Sequence, residues 1–517
     1  MKLTYRLLAG VLSGVLFLTT GGMTAFATDP AEVSSGETDA VDQNLSSMPT
    51  GAAATEEELE QQMEQQRQIV PESNAYESWP QGPLVTADSA IVMDINSGAV
   101  LYGKQIDKKQ YPASITKVMT ALLALENGDI HTDRVTFSED SISFLEYGDA
   151  HIGMRPGEEI SLEDAMYGML LASANEVSYA ISENIGNKMG IGYDGFIARM
   201  TERAKELGCE NTNFVNANGL HDDQHYVSAR DMALIGSEAF KHEEFRTVIG
   251  ALEYRIPATN LVNEERVFQQ NHKMIFEGNQ YYYEYCVGGK TGYTDQARTT
   301  LITYAEKDGM QLVCVVLRTR GGVAYEDTKA LFDYAFGNFQ TVSLKTAETS
   351  EDFSEIPKTA SVVLPGGASF ADLKKTITQK EANSKEAAVE YTFNGTPVGT
   401  AEVVLSDQYL EAQKKEAEVK AGAEKAKAAG KSGIPMWLRV VLGVVLAAVL
   451  VCAIVLYLAV QNRKRRRRRR MQMRRQQARR RAELEAQRRD AQRREQRRGR
   501  YQYPAKRGGK NGPTRIS

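Results

Sequence analysis

The sequence predicts an α/β (α+β) fold followed by a membrane-spanning segment, and three observations indicate this. Strand-like stretches stand at both ends of residues 81–342, and helical patterns occupy the middle. Short alternating stretches separated by turn residues follow over 345–407, which predicts a small all-β domain. Further on, residues 440–460 carry no charge, and a run of this length crosses a bilayer as a helix.

The N-terminus indicates export. Residues 1–27 have the features of a signal peptide, since Lys2 and Arg6 precede an apolar stretch and Ala25-Phe26-Ala27 is typical of a cleavage site. An uncleaved N-terminal anchor is the alternative. The apolar stretch is interrupted by glycines and short for a span, which favours cleavage.

The next segment, residues 28–80, is rich in Glu, Gln, Ser, Thr and Ala and poor in large apolar residues. This composition predicts a disordered acidic and Gln-rich linker, with transient helix at most around residues 56–68. We expect order to begin near Leu84.

The pattern of residues 81–342 places one buried helix at the centre. Residues 90–93 and 99–102 flank the turn sequence at 96–98, which predicts a hairpin. A helix then starts at Ser114 and ends at Asn127-Gly128, and it is apolar nearly all round. The remaining predicted elements are helices at 162–171, 176–185, 193–207 and 229–240, and strands at 283–290, 299–305 and 311–317.

Three short motifs follow one another along this segment: Ser114-Ile115-Thr116-Lys117, Ser173-Ala174-Asn175 and Lys290-Thr291-Gly292. Each alone is weak, because such short patterns arise by chance. In this order they supply a nucleophilic hydroxyl, an amine base, a hydroxyl and amide pair, and a cationic strand edge. That set of groups is what acyl transfer through a covalent serine intermediate needs.

The predicted positions of Ser114 and Lys117 on one helix are the main support for a serine nucleophile. Ser114 at a helix start lies where backbone N–H groups favour negative charge, although an ordinary N-cap serine is the alternative. Lys117 shares its face on an otherwise apolar helix, and a buried lysine is costly unless it is paired or neutral. Burial and a second cation, for which Lys290 is the candidate, would lower its pKa and make it a usable base.

The other two motifs have structural alternatives as well. Lys290 is predicted to close a strand, and flanking glycines would let another chain approach the backbone. A solvent-facing turn is the alternative. Ser173 and Asn175 fall on a connection between helices, where they would serve as N-caps if they had no chemical role.

From Ala87 to Phe339 the chain resembles the serine-type D-Ala-D-Ala carboxypeptidases, the low-molecular-mass penicillin-binding proteins. Longer stretches of the sequence also resemble this family, some around the three motifs and some between them: residues 112–120, 171–176, 216–222, 228–233 and 289–295. The resemblance implies a β-lactamase/transpeptidase-like catalytic domain, followed by a small β-sandwich-like membrane-proximal domain. It implies no metal and no cofactor.

The resemblance also implies an activity, which is removal of the terminal D-Ala from peptidoglycan stem pentapeptides in cell-wall biogenesis. Ser114 would be the nucleophile and Lys117 its base, while Ser173 relays a proton and Asn175 binds a substrate amide. The substrate peptide would lie along Lys290, Thr291 and Gly292, and the N–H groups of Ser114 and Tyr293 would hold the oxyanion. β-Lactam antibiotics would acylate Ser114 by the same route.

Recognition of the substrate carboxylate departs from the family pattern. Many relatives carry an arginine shortly after the strand that follows Lys-Thr-Gly. In this chain the residue at the corresponding distance from Lys-Thr-Gly is Tyr325. Arg318 or Arg320 would substitute, and Arg298 is a third candidate. Three other functions also stay open: a D,D-endopeptidase acting on cross-links, a β-lactamase, and a non-catalytic penicillin-binding scaffold.

The C-terminal part predicts how the chain is oriented. Residues 408–434 form an Ala-, Lys- and Glu-rich stalk, and 437–460 a transmembrane helix. Residues 461–517 contain 24 Lys and Arg against 4 Asp and Glu, so the positive-inside rule puts this Arg-rich tail in the cytoplasm. We expect a single-pass cell-membrane protein with an extracytoplasmic catalytic domain. The tail would bind anionic lipid rather than nucleic acid.

Overall fold

The computed structural model describes residues 56–381, 383–429, 436–458 and 460. The signal peptide, the linker up to residue 55 and the Arg-rich tail lie outside the described residues. The chain divides into two compact units, Met1–Glu411 and Ala412–Ser517.

The described residues of the first unit contain the predicted helices and strands in the predicted order, with further elements between them. The helices longer than seven residues are α1 (Glu56–Arg67), α2 (Lys117–Asn127), α4 (Leu162–Leu170), α5 (Asn175–Lys188), α6 (Gly192–Glu206), α7 (Ala229–Phe240), α8 (Glu243–Gly250), α9 (Gly321–Asn338) and the first part of α11 (Asp407–Ala429), and the short ones are α3 (Asp140–Ser143) and α10 (Leu344–Ala347). The strands are β1 (Ser89–Asp94), β2 (Val100–Lys104), β3 (Arg134–Thr136), β4 (Glu159–Ser161), β5 (Glu253–Ile256), β6 (Arg266–Gln269), β7 (Cys286–Thr294), β8 (Arg298–Lys307), β9 (Met310–Thr319), β10 (Phe339–Ser343), β11 (Phe353–Glu355), β12 (Ser361–Pro365), β13 (Lys374–Gln379), β14 (Glu386–Phe393) and β15 (Thr396–Leu405).

A five-stranded antiparallel sheet in the order β2-β1-β9-β8-β7 organises the first unit. Alternate residues of its strands point to opposite faces, as the pleat requires. Ile91 and Val315 join the hydrophobic cluster formed with α2, α4, α5 and α7. Val92 and Val316 join the cluster on the other face, which contains α9. The sheet is therefore covered on both faces, and β7 forms one of its edges.

The structure confirms the α+β class and most of the predicted elements. β1 and β2 form the predicted hairpin, with Gly98 at φ +71° in its turn. The predicted strands β8 and β9 are joined by a turn in which Asp308 and Gly309 both have positive φ. The buried helix α2 ends at Asn127, as expected, and all of its residues from Lys117 to Ala124 are buried.

Two of the predicted element ends that were wrong lie at the motifs. The helix expected to start at Ser114 begins as a 3₁₀ turn, Ala113–Thr116, and becomes α-helical only at Lys117. Lys290 does not close a strand. It lies in the middle of β7, which continues to Thr294 because β8 pairs with it that far, Thr294 opposite Arg298.

The expectation that order begins near Leu84 was also wrong. Residues 56–67 form α1, and Trp79 is buried, its indole N–H donating to the carbonyl of Leu101 at 2.9 Å. The fully buried Lys104 donates to the carbonyl oxygens of Gln66, Val85 and Ala87 at 2.7–2.8 Å. This segment has few large apolar residues, and hydrogen bonds from Lys104 to its backbone carbonyl groups attach it to the rest of the unit.

The strands expected over residues 345–407 are present, but they do not have a core of their own. β10 pairs with β12, and a second sheet has the order β11-β15-β14-β13. Their buried residues, among them Val389 and Tyr391, belong to the same hydrophobic cluster as Phe332 of α9. The Thr400 N–H also donates to the Ser97 carbonyl in the β1–β2 turn. This shared core explains why no boundary falls at residue 345.

The described part of the second unit is helical. It contains the end of α11 and a further helix, α12, over Met436–Leu458. α12 has 23 residues, its most apolar stretch of 18 residues has a mean hydropathy of 3.1, and none of that stretch is buried. By length and composition it is a candidate membrane span.

Candidate active site

Ser114 lies on a turn whose backbone is held from several sides. Ala113, just before it, has φ +49°, a conformation that costs an L-residue about 1–2 kcal/mol. The Thr116 hydroxyl donates to the Ala113 carbonyl at 2.8 Å, and the Thr300 hydroxyl donates to the Pro112 carbonyl at 2.7 Å. These bonds hold the strained turn in place.

A buried histidine completes this arrangement. His225 Nδ1 accepts from the Val215 N–H at 3.1 Å, so the proton of the neutral ring is on Nε2. Nε2 then donates to the Thr116 hydroxyl at 2.8 Å, which in turn donates to Ala113. Burial lowers the pKa of His225 to about 3, so the ring stays neutral near pH 7.

Lys117 meets Ser114 and two further acceptors. Its Nζ lies 3.0 Å from Ser114 Oγ, 2.7 Å from Asn175 Oδ1 and 2.7 Å from the Asn218 carbonyl oxygen. The side chain is fully buried. Burial, and secondly the charge of Lys290, hold the pKa of Lys117 well below its usual range, with Glu176 and Asp149 acting in the opposite direction.

Lys290 and Ser173 form a second pair. Lys290 Nζ donates to Ser173 Oγ at 3.0 Å and to the Thr291 carbonyl at 2.7 Å. Burial lowers the pKa of Lys290 to about 7. Ser173 itself has φ +63° in the connection before α5, so strained backbone occurs in this motif as well as directly before Ser114.

Two glycines allow the close packing around Ser114. A Cβ on Gly219, which has φ +87°, would lie 1.9 Å from the Ala113 carbonyl oxygen. A Cβ on Gly292 would lie 2.8 Å from the Ser114 nitrogen and 2.4 Å from Thr300 Oγ1. β7 therefore passes directly beside the Ser114 N–H because residue 292 has no side chain.

A cavity of about 420 Å³ opens onto these groups. Ser114 and Ser173 line it on one side, and Thr291, Gly292 and Tyr293 of β7 on the other. The structure thus brings together the three predicted motifs. It differs from expectation for Asn175, whose carbonyl oxygen is already bonded to Lys117.

The predicted arginines do not line this cavity. Arg318 donates to the Gln296 carbonyl at 2.8 Å, and its Nε lies 3.9 Å from Asp88. Arg320 lies 3.8 Å from Glu60 of α1. Both line a neighbouring cavity, together with Arg298.

Three residues that contact or line the site were not predicted from the sequence. Lys273 lines the cavity of Ser114, and no motif surrounds it in the sequence. The Asn218 carbonyl bonds Lys117, but a backbone acceptor leaves no trace in residue type. His225 acts through Thr116, and their separation of 109 positions in the sequence hides the link.

Comparison with known proteins agrees with this geometry. A family model described as D-alanyl-D-alanine carboxypeptidase, Peptidase_S11, matches residues 77–321. D-alanyl-D-alanine carboxypeptidase DacF of Bacillus subtilis is 32% identical over 320 residues, covering 57% of this chain and 77% of the relative. DacA of Haemophilus influenzae is 31% identical over 279 residues, covering 53% and 67%.

A solved structure supports the same relationship. Penicillin binding protein 5 from Haemophilus influenzae superposes with a TM-score of 0.51 at 26% identity, covering 63% of this chain and 98% of that one. Sequence relatives, family model and fold therefore agree. This chain belongs to the D-alanyl-D-alanine carboxypeptidase family, Peptidase_S11.

Proposed function

We propose that this protein is a serine-type D-alanyl-D-alanine carboxypeptidase that removes the terminal D-Ala from peptidoglycan stem pentapeptides during cell-wall biogenesis. The observation that supports this best is the Ser114–Lys117 pair, a hydroxyl 3.0 Å from a buried amine of lowered pKa. The pair opens onto a cavity bordered by β7, the sheet edge that an extended peptide would join.

In the first step, Ser114 is the nucleophile and Lys117 the general base. A bond forms between Ser114 Oγ and the carbonyl carbon between the two D-alanines, while the hydroxyl proton passes to Lys117. The backbone N–H groups of Ser114 and Tyr293 hold the oxyanion. The carbon–nitrogen bond then breaks, and the nitrogen of the leaving D-Ala takes the proton, with Ser173 as the relay.

In the second step, water attacks the acyl-enzyme. Lys117 accepts a proton from the water, a new carbon–oxygen bond forms, and the ester bond to Ser114 breaks. Ser114 takes the proton back, and the shortened peptide leaves. A β-lactam ring would acylate Ser114 by the same attack, with the ring nitrogen as the leaving group.

Substrate binding is assigned to β7 and the residues that face it. The peptide lies antiparallel to Lys290, Thr291, Gly292 and Tyr293, and the Asn175 amide N–H₂ donates to a substrate carbonyl. The terminal carboxylate is held by Thr291 with Lys273, since both line the cavity of Ser114. Of Arg318 and Arg320, Arg320 is the better third partner because the next residue, Gly321, lines that cavity.

The other candidate functions are less well supported. The curated relatives compared above carry the name carboxypeptidase, not β-lactamase or endopeptidase. A scaffold without activity would not need a buried lysine of lowered pKa beside a serine.

We further propose that α12 anchors the protein in the cell membrane, with the catalytic domain outside and the tail of residues 461–517 in the cytoplasm against anionic lipid. The high hydropathy of α12 and the excess of basic residues after it support this. Residues 345–407 would then be a membrane-proximal domain packed on α9, and 408–434 its stalk. Binding of the tail peptide to anionic but not to neutral vesicles would test the lipid contact.

The decisive experiment uses the full-length enzyme in detergent. We expect release of free D-Ala from a stem pentapeptide and labelling by a fluorescent penicillin, both abolished in Ser114→Ala. A cross-linked dimer serves as the second substrate. Cleavage of the dimer without release of D-Ala would contradict the carboxypeptidase assignment, and an unlabelled wild-type enzyme would contradict the serine mechanism.

A further inference from the structure

A second cavity, of about 410 Å³, adjoins the cavity of Ser114. The two share Tyr293, Thr299 and Gly321 in their linings, so they meet at the end of β7 and the start of β8. On its far side this second cavity is lined by Gln62, Gln65 and other residues of α1. α1 precedes the segment that the family model matches, which starts at residue 77.

The charges in this cavity are not balanced. Lys108 is paired with Asp88 at 2.9 Å, and Arg320 lies 3.8 Å from Glu60. Arg318 is bonded to a neutral acceptor, the Gln296 carbonyl, and its nearest carboxylate, Asp88, also receives bonds from Lys108, Gln105 and Gln110.

Arg298 stands out among these cations. Its side chain is half-buried, yet within the described residues its guanidinium has neither a hydrogen bond nor an ion pair. The five N–H donors of its guanidinium are left without a partner among the residues that the structure describes. Arg298 and Arg318 are also close enough that each repels the charge of the other, which helps to lower the pKa of Arg318 after burial.

The backbone at both arginines is strained. Arg298 has φ +57° and Arg318 φ +55°, whereas residues other than glycine rarely adopt this region. Such outliers persist where the surrounding structure holds them, and they cluster at binding sites. Two like charges in one cavity repel each other, so a ligand that offsets the charge is the simplest reason for them.

The direction of the bound peptide identifies which part of the substrate reaches this cavity. A peptide antiparallel to β7, with its scissile carbonyl at Ser114, has its C-terminal residue beside Thr291. Its upstream residues then pass Tyr293 and Thr294, and Thr294 is paired with Arg298 in the β7–β8 ladder. The cavity therefore lies beside the part of the peptide that precedes the two D-alanines.

We propose that this cavity is a second carboxylate subsite, in which Arg298 and Arg318 bind an acidic side chain upstream of D-Ala-D-Ala. The subsite rests on the proposed function for its substrate, and it is distinct from the site of the terminal carboxylate. α1 forms its outer wall. By limiting access of water, the helix strengthens the ion pair that a carboxylate makes there.

Binding to the full-length Ser114→Ala enzyme tests this without turnover. The probes are N-acetylated peptides that end in D-Ala-D-Ala and carry either glutamyl or glutaminyl at one of two upstream positions. At one of these positions we expect the glutamyl peptide to bind about tenfold more tightly, as for a hydrogen bond to a charged partner. In Arg298→Gln the preference should disappear, and in Arg298→Lys part of it should return because the charge is kept.

Two further variants separate the subsite from general electrostatics. Gln65→Glu places a carboxylate on the α1 wall and should also abolish the preference, without changing the sheet. Arg134→Gln, an exposed arginine on β3, removes the same charge elsewhere and should leave the preference intact. Equal affinities for glutamyl and glutaminyl peptides at both positions, or a preference that survives Arg298→Gln, would overturn the subsite. D-Ala release by the unmutated enzyme judges the proposed function separately.

Discussion

At the residue scale, the proposed chemistry depends on two buried lysines whose charged forms are disfavoured. Burial lowers the pKa of both, and the charge of Lys290 adds to the effect at Lys117. Since only the neutral amine accepts a proton, lowering the pKa of Lys117 makes it a base at pH values where an ordinary lysine is protonated. The two lysines interact, so titration reports on the pair.

This predicts the pH dependence of acylation. We expect the rate of acylation by a penicillin to rise with pH as Lys117 loses its proton, with the acid limb well below the range of an ordinary lysine, because burial and the charge of Lys290 lower the pKa of Lys117. The ordinary lysine pKa is about 10.4, so an acid limb centred near that value would contradict the lowered pKa. Stopped-flow labelling across the pH range, with folding checked by circular dichroism, measures the limb.

A second prediction concerns Thr116, which we regard as a positioning residue. Thr116→Val removes the hydroxyl that links His225 to the Ala113 carbonyl, so the Ser114 N–H loses its fixed direction. We expect acylation to slow by at least about tenfold, because misplacing an oxyanion donor weakens transition-state binding. Thr116→Ser keeps the hydroxyl and should restore most of the rate.

The matched control for this change is Thr328→Val in α9. Thr328 is also buried, and its hydroxyl also donates to a carbonyl, that of Ala324, at 2.7 Å. Both valine variants should lose about 1 kcal/mol of unfolding free energy. An equal loss of acylation rate in both would mean that Thr116 acts through stability alone.

The proximity of single residues was predicted well where the motif itself contains them. Ser114, Lys117, Ser173 and Lys290 meet as the three motifs suggested. The contributions of Lys273 and of the Asn218 carbonyl were missed, because a lone lysine and a backbone oxygen have no sequence signature. Their roles follow only from the folded chain.

At the scale of elements, the loop of residues 216–222 presses on the turn that carries Ser114. Gly219→Ala would put a methyl group 1.9 Å from the Ala113 carbonyl oxygen, at φ +87°. We expect this change to lower the unfolding free energy by about 2 kcal/mol more than the same substitution at a glycine that also has positive φ but has open space around it. It should also abolish penicillin labelling, since the turn must move.

Gly190→Ala is the comparison. Gly190 has φ +78°, and nothing lies within 4 Å of an added Cβ, so only the backbone cost of about 1 kcal/mol applies. Chemical denaturation and labelling of both variants test the difference. If the two variants behaved alike, the contact between Gly219 and Ala113 would have no special weight.

Elements were predicted well where a period or a turn signal was strong. α7 was predicted with its observed ends, because Ser228 caps its first turn through the Asp231 N–H. The end of β7 was predicted too early, since Lys-Thr-Gly looks like a turn until its pairing with β8 is known. α1 was taken for linker because its attachment depends on Lys104, which lies 38 residues from Gln66.

At the scale of the whole molecule, the proposed catalytic residues and the candidate membrane span lie in different compact units. All of the proposed chemistry lies in the unit that ends at Glu411, and the candidate span lies in the other. A chain that stops after Ala429 lacks α12, so we expect it to leave the membrane fraction and to keep its rate of penicillin labelling.

Fractionation of cells that express the shortened and full-length chains tests this. A shortened chain that still sediments with membranes would contradict α12 as the anchor and would point to an uncleaved N-terminal segment. Loss of labelling in a soluble, folded shortened chain would contradict the independence of the first unit.

The overall class and the order of elements could be predicted because each layer has its own period in the sequence. How the strands after residue 345 share a hydrophobic core with the rest of the unit could not be predicted. Val389 and Tyr391 look like the inside of a separate sheet, yet they pack in one cluster with Phe332. Which apolar faces meet is decided by tertiary packing, and alternation within a strand does not record its partner.

The surroundings of Lys117 have a further consequence, which follows from counting hydrogens. The charged amine has three, one for each of its acceptors at 2.7–3.0 Å, while the neutral amine has two and a lone pair. Asn175 Oδ1 and the Asn218 carbonyl oxygen can only accept, so each keeps a hydrogen. The lone pair is therefore left for Ser114, whose hydroxyl can turn to donate. In the proposed reaction, the lone pair of neutral Lys117 thus already points at the Ser114 hydroxyl before any substrate binds.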